Sequence, residues 1–300
     1  MKNPSVELGP YASIILQLML TFIMLSVSLE LKKDDWNSLK HKWKAFLTGM
    51  SARILVLPAI IFCFCSLAPI SAELKLGFLL VAACPGGSIS NFLVSLSRGD
   101  IILSILLSLG STFLAPLSTP LNFEFWALLA DDTRNLFSQI SIDPQSLLKT
   151  IFFSLLIPLS IGAYLGLKHP EKADKLKKKT NFLGPSILLL FLIFAVTKNY
   201  QLLAHHFFDA FIPVVILNTL CLLFFYFYAK IFQLPPPACR AISLEVSVEN
   251  TALALLIALE FFPNHIEVTM VAVLWGLWQI FSGWILAHYW SKNSFSTGNK

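Results

Sequence analysis

A chain of 300 residues in which 56% are hydrophobic and 13% charged, with a mean hydropathy of +0.72, lies outside the range of soluble domains, where about a quarter of residues are charged. It reads as an all-α polytopic membrane protein. The formal charge of +5 does not point to nucleic acid, because the basic residues fall in short runs between apolar segments, and no zinc knuckle, RNP motif or basic amphipathic arm accompanies them.

Residues 11–31 form a first span, and no small-residue cleavage site follows it before Lys32-Lys33, so it is expected to stay in the membrane rather than leave as a signal peptide. A hydrophilic link carries Lys40, Lys42 and Lys44, and a second span, 45–67, contains Arg53. The third segment, 73–97, is interrupted by Cys84-Pro85-Gly86-Gly87-Ser88 and closed by Arg98-Gly99-Asp100. Span four, 101–119, carries Ser104 and Ser108, which share one helical face, before Pro116 and Pro120. Residues 121–144 read as an external loop with an interfacial helix. Span five covers 146–167, and the lysines from 168 to 179 read as a solvated cytoplasmic loop before span six, 181–197. His205 and His206 are placed in an external loop. Span seven covers 209–230, span eight, 237–261, is a second interrupted segment, and span nine is 267–290.

Nine spans put the termini on opposite sides. With the N-terminus outside, residues 32, 33, 40, 42, 44, 98, 168, 172, 175, 177, 178, 179, 230, 240, 292 and 300 place Lys or Arg on the cytoplasmic side. The other side receives Lys2, Lys75, Arg134 and Lys198, with Lys149 near a span end, so the asymmetry predicts N-out, C-in in a cell membrane. In each half a two-part segment precedes a final full span. Spans 1–4 and 5–9 are therefore expected to be inverted repeats, the first lacking its opening helix. Cys63, Cys65, Cys84, Cys221 and Cys239 show no zinc-site spacing and read as reduced thiols.

Proline followed by two glycines breaks a helix, because proline lacks a donor and glycine accepts non-helical backbone. Freed amides and carbonyls cannot face lipid, where each unpaired group costs several kcal/mol, so polar partners are required at the break. Glu245-Val246-Ser247-Val248-Glu249-Asn250-Thr251, set in an apolar segment after Pro235-Pro236-Pro237, supplies a second polar break. Paired half-helices of this kind coordinate ions and receive anions in transporters.

At Pro85-Gly86-Gly87-Ser88-Ile89-Ser90-Asn91, at Arg98-Gly99-Asp100 and at Glu245-Val246-Ser247-Val248-Glu249-Asn250, the chain resembles the bile acid:sodium symporter family over nearly its whole length. The resemblance implies a core domain, about 45–119 and 209–290, whose broken helices cross, and a panel domain of spans 11–31, 146–167 and 181–197. It also implies a first sodium site at Ser90, Asn91, Ser104, Ser108 and Glu245. Hydroxyl, amide and carboxylate oxygens beside freed carbonyls suit a hard cation in any case. The alternative for membrane serines, close packing or a bond to backbone, stands for Ser111 and Thr112.

The family's second sodium site is altered here: Arg53 and Glu249 stand where glutamines are usual, and Val246 and Val248 offer only carbonyls. Arg53 lies nine residues past Lys44, roughly 13 Å into the bilayer, beyond easy snorkelling. It needs an internal partner; the resemblance places Glu249 facing it and so predicts that pair, with Glu245 the nearest competitor. Asn250 and Gln279, with Ser90 and Asn91, are the expected substrate contacts in a cleft; the family's His-Asn pair on the last span is Gln279-Ile280 here.

These readings point to a secondary transporter of an organic anion, bile-acid-like, amphipathic or carboxylate-bearing, coupled to one sodium ion. The protein is expected to be a monomer in contact with membrane lipid, without organic cofactor or nucleic acid. Proton-coupled or sodium-independent transport, with Glu245 or Glu249 titrating and Arg53 standing in for sodium, remains open. So does a membrane sensor or binding module that does not transport. No GxSxG or HExxH motif supports an enzyme.

Overall fold

The computed structural model describes residues 12–29, 33–140, 143–198 and 200–293, and among these the backbone is helical apart from short connections. In chain order the helices are α1 (Ala12–Ser28), α2 (Lys33–Ser51), α3 (Leu57–Leu67), α4 (Ala72–Ala83), α5 (Ile89–Leu96), α6 (Ile101–Ala127) and α7 (Asp131–Ile140). Then follow α8 (Pro144–Ile151), α9 (Ile157–Lys168), α10 (Pro170–Lys198), α11 (Tyr200–Ile231), α12 (Pro236–Ser247), α13 (Thr251–Phe261) and α14 (Ile266–Asn293). Among the described residues, five stretches are long and apolar enough to cross a bilayer: Lys40–Leu67, Ile101–Ala127, Gln145–Lys168, Phe207–Ile231 and Ile266–Lys292. Leu67, Phe113, Leu117, Phe153 and Ile231 are exposed on the outside, as lipid-facing side chains are.

Two wide turns have a common cause. Pro58 and Pro158 bring no N–H, and each ring crowds the carbonyl four residues back, so the chain just before each opens into a π-turn, Ala52–Val56 and Phe152–Leu156. Leu57 N–H reaches back to the Ala52 carbonyl and Ile157 N–H to that of Phe152, which closes both turns without a chain break. Arg53 rides on the first of them.

Several helix ends lie beyond the expected ones. The lysine-bearing link is helical from Lys33, so α2 enters the second span with no loop between. The fourth span runs through Pro116 and Pro120 to Ala127, and the interfacial helix in 121–144 is α7. In a water-free interior no competing partner waits for a carbonyl that a proline leaves behind, so the helix continues through the prolines. The expected cytoplasmic loop at the lysine cluster is largely helix, since Pro170 suits a first helical position and α10 starts there. His205 and His206 belong to α11 rather than to a loop, and their side chains lie outside the described residues.

The break regions are central. α4 packs along α14 and α6, while α12 packs along α11 and also against α5 and α6. The connection after α5 is anchored: Arg98 takes a left-handed φ of 56°, Arg240 donates to the Ser97 carbonyl at 2.9 Å, and Asp100 N–H donates to the Pro237 carbonyl at 2.9 Å. Asp100 also caps α6 through Leu103 N–H at 3.1 Å and accepts from Lys42 of α2. Four of the five cysteines are buried and all are free thiols.

Candidate functional site

The two breaks meet. Gly86 and Glu249 form an isolated antiparallel bridge, in which Gly87 N–H donates to the Val248 carbonyl at 2.9 Å and Asn250 N–H to the Pro85 carbonyl at 2.8 Å. The groups freed by one break thus satisfy those freed by the other. Gly87 is required by proximity, because a Cβ there would stand 2.6 Å from the Glu249 carbonyl oxygen. Side chains complete the pairing. Gly86 N–H donates to Ser111 Oγ at 3.3 Å, and the Gln279 amide brackets Glu249, accepting from its N–H at 2.8 Å and donating to its carbonyl at 3.0 Å. Asn218 donates to the Ser247 carbonyl at 2.9 Å and is itself held by Ser282 Oγ at 2.6 Å.

Beside this crossing, Ser90, Asn91, Ser104, Ser108 and Glu245 converge, all buried. Glu245 Oε1 accepts from Ser90 Oγ at 2.5 Å, from Ser104 Oγ at 2.6 Å and from Ser108 Oγ at 3.0 Å, and Oε2 accepts from Ser108 Oγ at 3.0 Å. Ser104 Oγ also stands 2.6 Å from Asn91 Oδ1, and Ser90 Oγ 2.7 Å from the Gly87 carbonyl. Each hydroxyl has one proton to give. Three such protons cannot serve every one of these approaches, while Asn91 Nδ2, enclosed beside them, has no acceptor among the described residues. Oxygens gathered in this way around one buried carboxylate suit a cation or an added proton.

Arg53 makes the expected pair. Its Nη1 donates to Glu249 Oε2 at 2.7 Å, with the two side chains 4% and 0% exposed. Its Nη2 faces Gly86, where a Cβ would stand 3.0 Å from Nη2 and 3.1 Å from Glu245 Oε2. One arginine therefore lies between two buried glutamates, and with both ionised the group carries a net charge of minus one.

The remaining predicted residues are placed differently. Val246 and Val248 are buried, and the Val248 carbonyl accepts from Gly87, which makes it part of the bridge rather than a free ligand. Asn250 caps α13 through Leu253 N–H at 3.1 Å and, 5% exposed, keeps its Nδ2 without an acceptor among the described residues. Gln279 is 3% exposed with both amide atoms engaged by Glu249. In this conformation neither faces an open cleft. A surface groove lined by Trp43, Leu47, Ile54 and Phe232 and another lined by Ser71, Glu73, Asn135 and Glu267 lie elsewhere.

Sequence reasoning did not assign Asn218, Ser282 or Ser111 to the crossing. Ser111 stands seven residues past Ser104, two turns along the same face, a spacing that marks it. Asn218 is a lone amide in the apolar run of α11, and such a side chain requires a partner in a lipid environment.

A sequence model of the sodium bile acid symporter family matches residues 17–206. The chain belongs to the sodium bile acid symporter family. Members of this family are transporters, not enzymes, and the apolar helices make this chain a multi-pass membrane protein. It is 26% identical over 286 residues to the uncharacterized sodium-dependent transporter YocS of Bacillus subtilis (strain 168), covering 95% of this chain and 86% of that one. It is also 26% identical over 282 residues to the probable chloroplastic sodium/metabolite cotransporter BASS2 of Oryza sativa subsp. japonica, covering 94% of this chain and 65% of that one. Against sodium/bile acid cotransporter 5 of Rattus norvegicus the identity is 26% over 235 residues, 77% of this chain and 53% of the rat protein.

Proposed function

We propose that this protein is a secondary active transporter that moves an organic anion, amphipathic or carboxylate-bearing, together with a single sodium ion. The observation that carries the proposal is the oxygen cluster on Glu245, where a carboxylate, an amide oxygen and three hydroxyls are drawn together in the protein interior. Hard cations prefer this donor set, and Ser90, Asn91, Ser104, Ser108 and Glu245 are its ligands in this reading. The names of the relatives, a sodium-dependent transporter and sodium cotransporters, support sodium as the coupling ion.

Arg53 places a permanent positive charge on Glu249, where a second sodium would need a vacant carboxylate or amide. One coupled sodium is the consequence. The substrate binds at the half-helix ends near Asn91 and Asn250 once the helices part, with the positive ends of α5 and α13 favouring an anionic head group. Nine spans, in two inverted repeats of which the first lacks its opening helix, divide into a core, about 45–119 and 209–290, and a panel of spans one, five and six. Packing of α1 on α9 and α10 supports the panel grouping. The N-terminus lies outside and the C-terminus in the cytoplasm of a cell membrane, and the working unit is a monomer.

Uptake of labelled mono- and dicarboxylates and amphipathic acids into proteoliposomes, under an inward sodium gradient and under an equal potassium gradient, tests the reading. Sodium-driven accumulation is expected. Equal uptake under a proton gradient without sodium would move the coupling to a proton, and failure of every compound to undergo counterflow would favour a non-transporting sensor.

A further inference from the structure

Arg53 uses half of its fork. Nη1 is held by Glu249, while Nη2, fully enclosed, has no acceptor among the described residues. Opposite Nη2 lies Glu245 Oε2, and between them is the space beside Gly86: a single Cβ built there would touch Nη2 at 3.0 Å and Oε2 at 3.1 Å. A missing methyl group separates a cation's spare donor from a second carboxylate. The arginine sits on the π-turn Ala52–Val56, a looser turn than the α-helix on either side, and such turns recur where a side chain must be re-aimed.

Charge gives this geometry a consequence. The guanidinium cannot lose its proton, so it stays a cation whatever else binds. If a sodium ion leaves the Glu245 cluster, a carboxylate remains in the protein interior with hydroxyls as its partners, and an uncompensated buried charge is costly. The nearest positive charge that can answer is Arg53.

We propose that Arg53 is a tethered cation shared by the two glutamates. It rests on Glu249 while sodium occupies the Glu245 cluster, and it turns Nη2 on to Glu245 when the ion leaves. Sodium and the guanidinium therefore compete for one carboxylate, and in the unloaded protein one guanidinium is shared by two carboxylates so that neither is left without a cation beside it. The inference rests on the reading of the Glu245 cluster as a sodium site. It adds a residue that sets how tightly that site holds its ion, although Arg53 itself does not touch sodium.

Sodium titration of the purified full chain, read as thermal stabilisation against a potassium control, tests it. The double variant Arg53→Gln with Glu249→Gln removes the competitor without stranding Glu249, and its half-saturating sodium concentration is expected to fall by about tenfold or more. Arg53→Lys keeps a cation at the site and should stay within about threefold of the parent. Gly86→Ala keeps all three charges but puts a methyl group in the gap, so it should also tighten sodium, and it decides the matter if the double variant does not fold. Loss of a merely structural contact would weaken ion binding, not strengthen it. Unchanged half-saturation in both the double variant and Gly86→Ala overturns the shared-cation proposal alone, provided that Glu245→Gln abolishes the parent's response. A folded parent with no sodium response overturns both this proposal and the sodium reading beneath it.

Discussion

At 4% exposure Arg53 has no water shell to stabilise its charge, so its stability contribution depends on what it touches. Arg53→Ala strands Glu249 in the interior, and breaking a buried pair in this way costs roughly 3 to 5 kcal/mol. The double variant Arg53→Gln with Glu249→Gln should lose clearly less, since two amides can face one another. Thermal midpoints of the two in detergent check this; an equal loss would show that the pair contributes nothing as a pair. The need for a partner was legible in the sequence because a charge so deep in an apolar helix demands an opposite charge, and the resemblance to the family pattern pointed to Glu249 over Glu245. Gln279 was not legible in the same way. An amide can bond to substrate, backbone or another side chain, and only the structure shows both of its atoms on the Glu249 main chain. Ser111 resembled any packing serine until its oxygen proved to receive the Gly86 N–H.

Between helices, the crossing depends on how closely two backbones approach. Gly87→Ala would push a Cβ to 2.6 Å from the Glu249 carbonyl oxygen, and a contact that short must move the backbone. A destabilisation of about 1 to 3 kcal/mol is expected, with loss of sodium response because Ser90 and Asn91 follow directly on α5. A variant as stable and as sodium-responsive as the parent would contradict the described approach. Elsewhere, Lys75 of α4 donates to Asp132 of α7 at 2.6 Å. That bond, with help from the Thr133 N–H, holds the Asp132 carboxyl below its ordinary range. A depressed carboxyl stabilises the fold above its unfolded pKa, near 3.9, and the contribution disappears as pH falls through the lower folded value. Asp132 is well exposed, so the effect is small; Lys75→Met should flatten the decline in thermal midpoint below about pH 4. An unchanged decline would mean the pair does not hold α7. The break positions were legible, since Pro85-Gly86-Gly87 and Glu245-Val246-Ser247-Val248-Glu249-Asn250 leave few other conformations. Helix ends were not, because Pro116, Pro120 and the lysines before span six signal breaks in water that a lipid environment and a continuing helix override.

For the molecule as a whole, apolar content and the run of segments announced a polytopic helical protein, and the family followed from three short motifs in order. What no sequence pattern supplies is the relative placement of distant segments: the π-turn Ala52–Val56, α5, α6 and α12 each bring one or more members of the polar group, and their meeting is a property of the whole bundle. The central claim is that this group holds one sodium ion on Glu245. Its most direct measurement is sodium-dependent thermal stabilisation of the parent and of Glu245→Gln, titrated against potassium at constant ionic strength. A saturable shift with a Hill coefficient near one in the parent, absent from Glu245→Gln, is the predicted result. An equal sodium-specific shift in both proteins, or a cooperative curve with a coefficient near two in the parent, would contradict it.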